Sequence, residues 1–308
     1  MALRTVANRM TTYCVLVIPA YNEAASIGRC LTSVLESPLP TGFEWREWRV
    51  TEDGSSDDTR EQVRLWASNH PSVKIHLLGG SARLGKVAAV GKCHDQLVAE
   101  GRIEEIIVFI DADSTIQTQT MAALLSEFND REVAAATGFT IPSRRQFGCR
   151  GSAFQIELAG NYARALGPNA YRLEGQFYAY RLGAFVDFRL KPGFIVEETQ
   201  FVSFIRDRNL RLRSAFGAVV RRTPPGNYVD FYKQTYRAFR AAQLGGGRFP
   251  TSVVELHPLA VRVLLRTMRE DPVGAISYVL ARGVAAILHR FRPASFTDQF
   301  PPSPSTKN

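Results

Sequence analysis

Residues 106–113 have the sequence IIVFIDAD, in which five apolar residues lead directly into two carboxylates separated by one alanine. An apolar run of this length predicts a strand buried on both faces, as in a parallel sheet. Asp111 and Asp113 would then lie at the carboxyl end of that strand, where open α/β sheets place their ligand site. The two carboxylates could hold a divalent cation through oxygen ligands, with a capping or solvated pair as the alternative.

The flanking sequence alternates strand and helix patterns. Strands are predicted near 13–18, 48–51, 73–78 and 133–137, and helices near 24–35, 58–67, 85–99 and 120–128. Such alternation implies βαβ units and a parallel sheet. The polar clusters that follow the strands at 13–18, 48–51 and 106–110 should therefore meet at one edge of that sheet.

The pattern after residue 140 is mixed and becomes helical towards the C-terminus. Helices are predicted near 152–166, 198–208, 229–243, 258–269 and 272–291, with short strands near 175–181 and 216–222. Pro224-Pro225 marks a boundary, so residues 1–225 are predicted to form the catalytic domain, with halves at about 13–140 and 141–225. Residues 226–292 would form a helical extension and 293–308 a loose tail rich in Pro and Ser.

Composition favours a folded protein with anionic partners. The chain has 308 residues, of which 45% are hydrophobic and 22% charged, and its formal net charge is +9. An excess of positive charge favours nucleotides or an acidic membrane surface. Arginines cluster at Arg144-Arg145 and Arg221-Arg222, but no continuous Lys/Arg run indicates a nucleic-acid arm, so no nucleic-acid partner is expected.

The four cysteines, Cys14, Cys30, Cys93 and Cys149, form no CxxC pair and no zinc-site spacing. They are interpreted as buried free thiols in a reducing compartment. The sequence also shows no signal-peptide pattern and no run of about 20 apolar residues. We therefore expect a cytoplasmic location, either free or peripheral on the inner face of the cell membrane.

Two further clusters carry candidate chemistry. Glu52-Asp53-Gly54-Ser55 follows the second strand, where a carboxylate could accept hydrogen bonds from a base or a ribose, although Asp-Gly is also common turn chemistry. Arg83 and Lys86 flank a predicted helix start, where backbone N–H groups favour an anion. An exposed basic pair is the alternative for these two side chains.

Taken together, four ordered motifs resemble the large inverting glycosyltransferase family 2, with the GT-A fold. They are VLVIPAYNE at 15–23, EDGSSD at 52–57, LGK at 84–86 and DADS at 111–114. The resemblance is strong over about 13–140 and extends to about 240. It implies a GT-A type, Rossmann-like, mostly parallel sheet flanked by helices, with a helical C-terminal extension in this chain.

The resemblance also implies roles in donor binding. The backbone at Pro19, Ala20 and Tyr21, together with Glu23, would line the nucleoside pocket. Asp53 would contact the base or ribose, and Arg83 and Lys86 would lie near the base or diphosphate. Asp111 would contact ribose or sugar and share the metal, Mg²⁺ or Mn²⁺, with Asp113 as its chief ligand.

The second half departs from the family pattern at two motifs. Residues 195–199, IVEET, resemble the family's acceptor motif, with Glu198 at the position of the general-base Asp and Glu197 as the alternative base. A helix-capping carboxylate is the other interpretation. Residues 174–177, EGQF, lie where the family often has a Gly-containing acceptor loop.

Residues 234–238, QTYRA, resemble the QxxRW motif of membrane-bound polysaccharide synthases, with Ala238 in place of Trp. Arg237 could still neutralise the diphosphate, or could be an ordinary arginine on an amphipathic helix. The missing indole and the absence of multiple membrane spans favour transfer of a single sugar. The predicted reaction moves that sugar from a UDP- or GDP-linked donor to a hydroxyl acceptor with inversion. A lipid-linked acceptor and a cell-surface glycan precursor are the candidate acceptors.

The basic amphipathic segment 272–292 could lie on an anionic membrane surface or dock on the catalytic domain. Two other functions stay open. A nucleotidyltransferase would normally carry a Gly-rich basic loop after the first strand, where this chain has Pro19-Ala20-Tyr21-Asn22-Glu23. A nucleotide-binding, membrane-associated module without transfer activity is the other, whereas a dehydrogenase is disfavoured because GxGxxG is missing there.

Overall fold

A computed structural model describes residues 11–80, 82–143, 150–168, 173–191, 197–244 and 258–291, with an eight-stranded sheet at its centre. The strands are β1 (Thr12–Ala20), β2 (Phe43–Glu52), β3 (Ile75–Leu78), β4 (Ile106–Ile110), β5 (Ser114–Ile116), β6 (Val133–Pro142), β7 (Phe177–Arg181) and β8 (Arg211–Arg222). Their order in the sheet is β3-β2-β1-β4-β7-β6-β8-β5.

Most of the sheet is parallel. β7 is antiparallel to both β4 and β6, and β5 is antiparallel to β8, whereas the other described pairs are parallel. The helices that flank it are α1 (Ile27–Leu35), α2 (Thr59–Asn69), α3 (Lys86–Ala99), α4 (Thr120–Ser126), α5 (Arg150–Leu166) and α6 (Glu198–Asp207). The prediction of an α/β fold with a mostly parallel sheet is thus confirmed.

The central strands are buried on both faces, which explains their continuous apolar sequence. In β4, Ile106, Val108 and Ile110 belong to one hydrophobic cluster, while Ile107 and Phe109 belong to the other. β1 alternates in the same way, because successive side chains of a strand point to opposite faces. Both faces of β4 are thus packed up to its carboxyl end, and Asp111 follows directly after it.

A helical region, predicted as the C-terminal extension, comprises α7 (Tyr228–Leu244), α8 (Pro258–Glu270) and α9 (Pro272–Phe291). It packs on α5: a side chain at Gly151 would collide with Ser277 of α9, and Arg150 pairs with Asp271 at 2.8 Å. One side of α9 thus docks on α5. The boundary at 225 stays a prediction, and residues 293–308 lie outside the described residues.

The structure adds elements that the sequence pattern did not reveal. β5 was not predicted, because three residues show no periodicity, and it forms through its pairing with β8. β2 begins at Phe43 and β8 at Arg211, each five residues before its predicted start. Pairing with the buried neighbours β1 and β6 extends these strands over polar residues that show no strand pattern by themselves. Cys14, Cys30 and Cys93 are free and buried as expected, while Cys149 lies outside the described residues.

Across the described ranges, no helix combines the length and the apolar content required to cross a bilayer.

Candidate active site

The loops after β1, β2 and β4 meet at one edge of the sheet, as the strand order requires. The backbone N–H of Asp53 donates to Ala20 O at 2.9 Å, which joins the ends of β1 and β2. The N–H of Asp111 donates to Gln176 O at 3.0 Å, which joins the end of β4 to the segment before β7. Side chains from segments before and after residue 140 therefore border a single site.

The loop after β1 is fastened to the loop after β2. Asn22, with a positive φ of 54°, donates its N–H to Ser55 Oγ at 3.0 Å, and its side-chain oxygen accepts from Ser56 N at 2.8 Å. The N–H of Glu23 donates to Thr59 Oγ1 at 2.6 Å, and the Glu23 carboxylate accepts from Ser26. Asn and Ser are suited to this role because their short side chains hydrogen-bond nearby backbone groups.

Two predicted nucleoside-pocket residues, Pro19 and Ala20, are buried in the last two positions of β1, opposite Thr51 and Glu52. Tyr21 follows them and is partly exposed. The Arg83 guanidinium lies 3.9 Å from the centre of the Tyr21 ring, in cation–π geometry. The buried Arg83 Nε has no hydrogen-bond acceptor within the described part of the chain.

Asp53 is buried and ties β2 to the start of α3. Its Oδ1 accepts from Leu84 N at 2.6 Å, and its Oδ2 accepts from Gly85 N at 2.9 Å. Gly85 has a φ of 90°, a conformation that favours glycine over other residues. The carboxylate predicted to contact the base or ribose therefore also shapes the loop that presents Arg83 and Lys86.

Lys86 joins the two halves of the site. Its ammonium lies 2.8 Å from Asp111 Oδ1 and 2.7 Å from Glu197 Oε1, and 3.4 Å from Gly175 O. Burial alone would lower the pKa of Lys86, but Asp111, Glu197 and Glu198 outweigh that effect and raise it, so Lys86 is cationic. Burial raises the pKa of Asp111 and Glu197, and Lys86 opposes the rise in both.

Asp113 lies beside a residue that the sequence did not single out for the site. Pairing of β5 with β8 sets Ser114 opposite Arg222, and Arg222 Nε lies 3.7 Å from Asp113 Oδ2. Ser114 Oγ donates to Asp113 Oδ1 at 3.3 Å. In the sequence, Arg222 was visible only as half of the basic pair Arg221-Arg222, and the short β5 that explains its position carries no periodic signal.

The carboxylates of Asp111 and Asp113 suit a divalent cation shared with a substrate. Their side chains are 18% and 14% exposed, so both reach solvent. The described residues contain no group of three or more His, Cys, Asp or Glu arranged to hold a metal. Magnesium sites commonly use one or two protein carboxylates and take further oxygen ligands from substrate phosphates. Asp111 and Asp113 could provide the two carboxylates of such a site.

Glu197 and Glu198 begin α6 but differ in surroundings. Glu197 is 1% exposed and faces Lys86, and its side chain makes no capping hydrogen bond to the helix. Glu198 is partly exposed, and its carboxylate packs on Gly175, where an added Cβ would lie 2.8–2.9 Å from the carboxylate atoms. The predicted acceptor loop at 174–177 therefore contacts the predicted base directly.

Arg237 lies on α7, but its side chain is outside the described residues, as are Arg144, Arg145 and the residues Ile195 and Val196 of the acceptor motif.

Comparison with known proteins shows the family to which the chain belongs. Residues 15–185 match the sequence profile of glycosyl transferase family 2, which covers more than half of the chain. The chain belongs to this family. A dolichyl-phosphate beta-glucosyltransferase of Trichomonas vaginalis is 28% identical over 149 residues, which are 46% of this chain and 43% of that protein.

A hyaluronan synthase of Streptococcus pyogenes is 30% identical to this family 2 chain over 132 residues, 42% of this chain and 30% of the synthase. The chain thus spans less than half the length of these curated relatives. Two solved structures share the fold at 19% identity. One is a mannosyltransferase from Pyrobaculum calidifontis in complex with GDP-Man and Mn²⁺, with a TM-score of 0.58, covering 90% of this chain and 78% of that one.

The other is glucosyl-3-phosphoglycerate synthase from Mycobacterium tuberculosis in complex with Mn²⁺, UDP and glucosyl-3-phosphoglycerate, with a TM-score of 0.51. It covers 78% of this chain and 81% of the synthase. Both likenesses show that this family 2 chain has the GT-A type of α/β fold.

Proposed function

We propose that this chain transfers a single sugar from a UDP- or GDP-linked donor to a hydroxyl acceptor, with inversion at the anomeric carbon. The observation that carries the proposal is the contact of Lys86 with both Asp111 and Glu197. That contact sets the carboxylate pair suited to the donor diphosphate beside the carboxylates suited to the acceptor. Two solved relatives of the fold hold GDP-Man or UDP together with Mn²⁺, which supports a nucleoside diphosphate donor.

The nucleoside would lie against the end of β1. Tyr21 and Arg83 offer a stacked aromatic and guanidinium surface there, and the buried Arg83 Nε is a hydrogen-bond donor to which a base or ribose oxygen could bind. Asp53 would contribute chiefly by holding the backbone that positions Arg83, through Leu84 and Gly85. Pro19, Ala20 and Glu23 would complete the wall of the pocket with backbone atoms and one carboxylate.

Asp113, with Asp111, would hold Mg²⁺ or Mn²⁺. Asp111 is engaged by Lys86 at 2.8 Å, whereas the polar contacts of Asp113 with the described residues are longer: Ser114 Oγ at 3.3 Å and the Arg222 guanidinium at 3.7 Å. Asp113 is therefore proposed as the chief ligand. The cation would offset negative charge on the leaving diphosphate. Arg222 is placed to add a fixed positive charge at the same position, and Arg237 is a further candidate.

Glu198 is proposed as the general base and Glu197 as the partner that positions Lys86. A base must reach the acceptor hydroxyl, and Glu198 is the more exposed carboxylate of the two. Glu198 would take the hydroxyl proton while the acceptor oxygen forms a bond to the anomeric carbon. The bond from that carbon to the diphosphate oxygen breaks, and its electron pair leaves with the nucleoside diphosphate. Attack opposite the leaving group inverts the centre.

The acceptor would enter past Gly175 and Glu198. A hydroxyl borne by a lipid-linked or cell-surface glycan precursor fits this proposal. A cytoplasmic location, free or peripheral at the inner face of the membrane, would give access to both substrates. The contact between the 174–177 loop and Glu198 supports this route, because it sets the acceptor loop directly against the proposed base.

The direct test combines binding and turnover. UDP- and GDP-sugars with Mn²⁺ are expected to raise the melting temperature, since a ligand that binds only the native state stabilises it. Chromatography should then detect slow release of nucleoside diphosphate from the donor sugar that raises the melting temperature. Asp113→Asn should abolish both effects without loss of fold, while Asp95→Asn, at an exposed carboxylate of α3, should change neither.

Two results would overturn the proposal. Pyrophosphate release from a nucleoside triphosphate would indicate a nucleotidyltransferase. Binding without any release of diphosphate, unchanged in a Glu197→Gln/Glu198→Gln double variant, would indicate a nucleotide-binding module.

A further inference from the structure

Helix α9 exposes a continuous stripe of aliphatic side chains, called here the α9 apolar face. Its members are 40–64% exposed and recur at spacings of three and four residues: Val273, Ile276, Val279, Leu280, Val284 and Ile287. Such spacing places them on one side of a helix. The opposite side of α9 is packed, with Ala275 and Ala281 buried and Tyr278 against Phe154. The stripe is therefore what remains after α9 has docked on the catalytic region.

The α9 apolar face continues onto the start of α7. The hydroxyl of Tyr228 lies 2.9 Å from Ser277 Oγ, and Tyr228 and Val229 are 42% and 61% exposed. Monomeric proteins rarely expose contiguous apolar patches beyond a few hundred Å², and larger ones mark protein or membrane contacts. Tyrosine at the margin of such a patch suits a boundary between apolar and aqueous surroundings.

The charges around this face favour an anionic partner. Residues 258–291 contain five arginines against two acidic residues, Glu270 and Asp271, and Asp271 is buried against Arg150. Arg262, Arg266 and Arg269 are exposed on α8, which joins α9 at Asp271. The whole chain carries +9. Two copies joined through this face would bring like charges together, whereas anionic lipid headgroups would neutralise them.

We propose that the α9 apolar face docks on the surface of an anionic lipid bilayer, with α9 lying in the plane of the interface. A helix with an apolar stripe and basic flanks binds in this manner, inserting its aliphatic side chains at the headgroup boundary while cationic side chains contact the lipid charge. Docking of this kind does not require a membrane-spanning segment, and it is independent of whether the chain transfers sugar.

The α9 apolar face lies close to the candidate active site. Arg222, beside Asp113, is six residues from Tyr228, which contacts α9, and six residues of chain reach at most about 20 Å. A bilayer held at α9 would therefore lie within reach of an acceptor whose sugar-accepting hydroxyl is carried by a lipid. This consequence for the acceptor rests on the proposed function, whereas the docking does not.

The test is cosedimentation of the full chain with vesicles of phosphatidylcholine alone or with 30% phosphatidylglycerol. Wild-type protein should bind the anionic vesicles, bind neutral vesicles less, and be released by high salt. The triple variant Ile276→Ser/Leu280→Ser/Ile287→Ser should reduce binding at least tenfold. Its matched control, Leu35→Ser/Leu65→Ser, removes two exposed leucines from α1 and α2 and should bind as the wild type does. An Arg262→Gln/Arg266→Gln/Arg269→Gln variant should lose about tenfold or more on anionic vesicles only.

Melting temperature and nucleotide-sugar binding, measured on each variant, separate loss of docking from loss of fold, because the substituted side chains are exposed and none of them belongs to the proposed donor or acceptor residues. Equal binding by the wild type and the triple Ser variant would overturn the proposal. So would a wild-type dimer in light scattering that the triple Ser variant converts to monomer without any vesicle binding by the wild type. Failure of donor turnover with vesicle binding intact would count against the proposed function alone.

Discussion

The ammonium of Lys86 lies 2.7 Å from the carboxylate of Glu197, a side chain that is almost fully buried at the start of α6. The two residues belong to different motifs and to different halves of the catalytic region. Their pairing, shared with Asp111, sets the distance between the carboxylates assigned to the donor and those assigned to the acceptor.

Lys86→Met should destabilise the fold and abolish transfer. The substitution leaves the carboxylates of Asp111 and Glu197 without a compensating cation. Breaking a buried pair costs about 3–5 kcal/mol of unfolding free energy. We expect the lower part of that range because Lys86 is one-third exposed. Unfolding in urea measures the loss. The Lys86→Met/Glu197→Gln double variant should recover part of the stability but no activity. A double variant as unstable as the sum of its single variants would show that the two side chains are not coupled.

Glu198→Gln should lower kcat by about 10²- to 10⁴-fold with donor affinity retained, because general-base catalysis contributes that much. Steady-state kinetics with saturating donor, and donor binding measured by calorimetry, check the two parts. Glu132→Gln, at an exposed carboxylate before β6, is the matched control. If Glu197→Gln lowers kcat as much while leaving stability unchanged, the assignment of base and positioning residue is reversed.

Gly175→Ala should impair catalysis more than stability. The new Cβ would lie within 2.8–2.9 Å of the Glu198 carboxylate, whose flexible end can move aside and so lose its position. The melting temperature should fall little, whereas kcat should fall at least tenfold. Gly28→Ala, in α1 with open space around it, is the control and should leave kcat unchanged. Full activity in Gly175→Ala would mean that the present position of Glu198 is not the working one.

Arg222→Gln should raise the KM for the donor by about tenfold, since a charged hydrogen bond to phosphate contributes about 1.5–3 kcal/mol. The expectation follows from the 3.7 Å approach of Arg222 to Asp113. Arg221→Gln, at the exposed neighbouring position of β8, should have no such effect. Equal KM values for the two variants would remove Arg222 from the donor site.

Glu47→Gln should destabilise the protein through a buried ion pair remote from the site. Glu47 lies 2.6 Å from Arg49 Nε and 3.2 Å from Lys74 Nζ, and although burial opposes the shift, these cations lower its pKa to about 2. A carboxylate with a lowered folded pKa stabilises the fold above its unfolded pKa, and that contribution is lost as the pH falls towards 2. The stability difference between wild type and Glu47→Gln should thus stay constant above about pH 5 and shrink as the pH is lowered from about 4.5 towards 2. A difference that is the same at pH 7 and at pH 3 would contradict the lowered pKa.

The sequence by itself determined the sheet and the edge at which the site lies. The apolar runs at 15–18 and 106–110 predict strands buried on both faces, and a further strand is predicted at 48–51. Tyr21, Asp111 and Asp53 follow these three strands and must lie at their carboxyl ends. This inference is local, because it depends only on periodicity and on the direction of the chain.

Only the tertiary structure decided which of these side chains contact one another. The Lys86 contact with Glu197, the engagement of Asp53 by Leu84 and Gly85, and the position of Arg222 beside Asp113 all join segments far apart in the chain. β5, which sets Arg222 in place, exists because of its partner strand rather than its own three residues. Contacts of this kind depend on how whole elements pack, and no periodicity within a single segment records them.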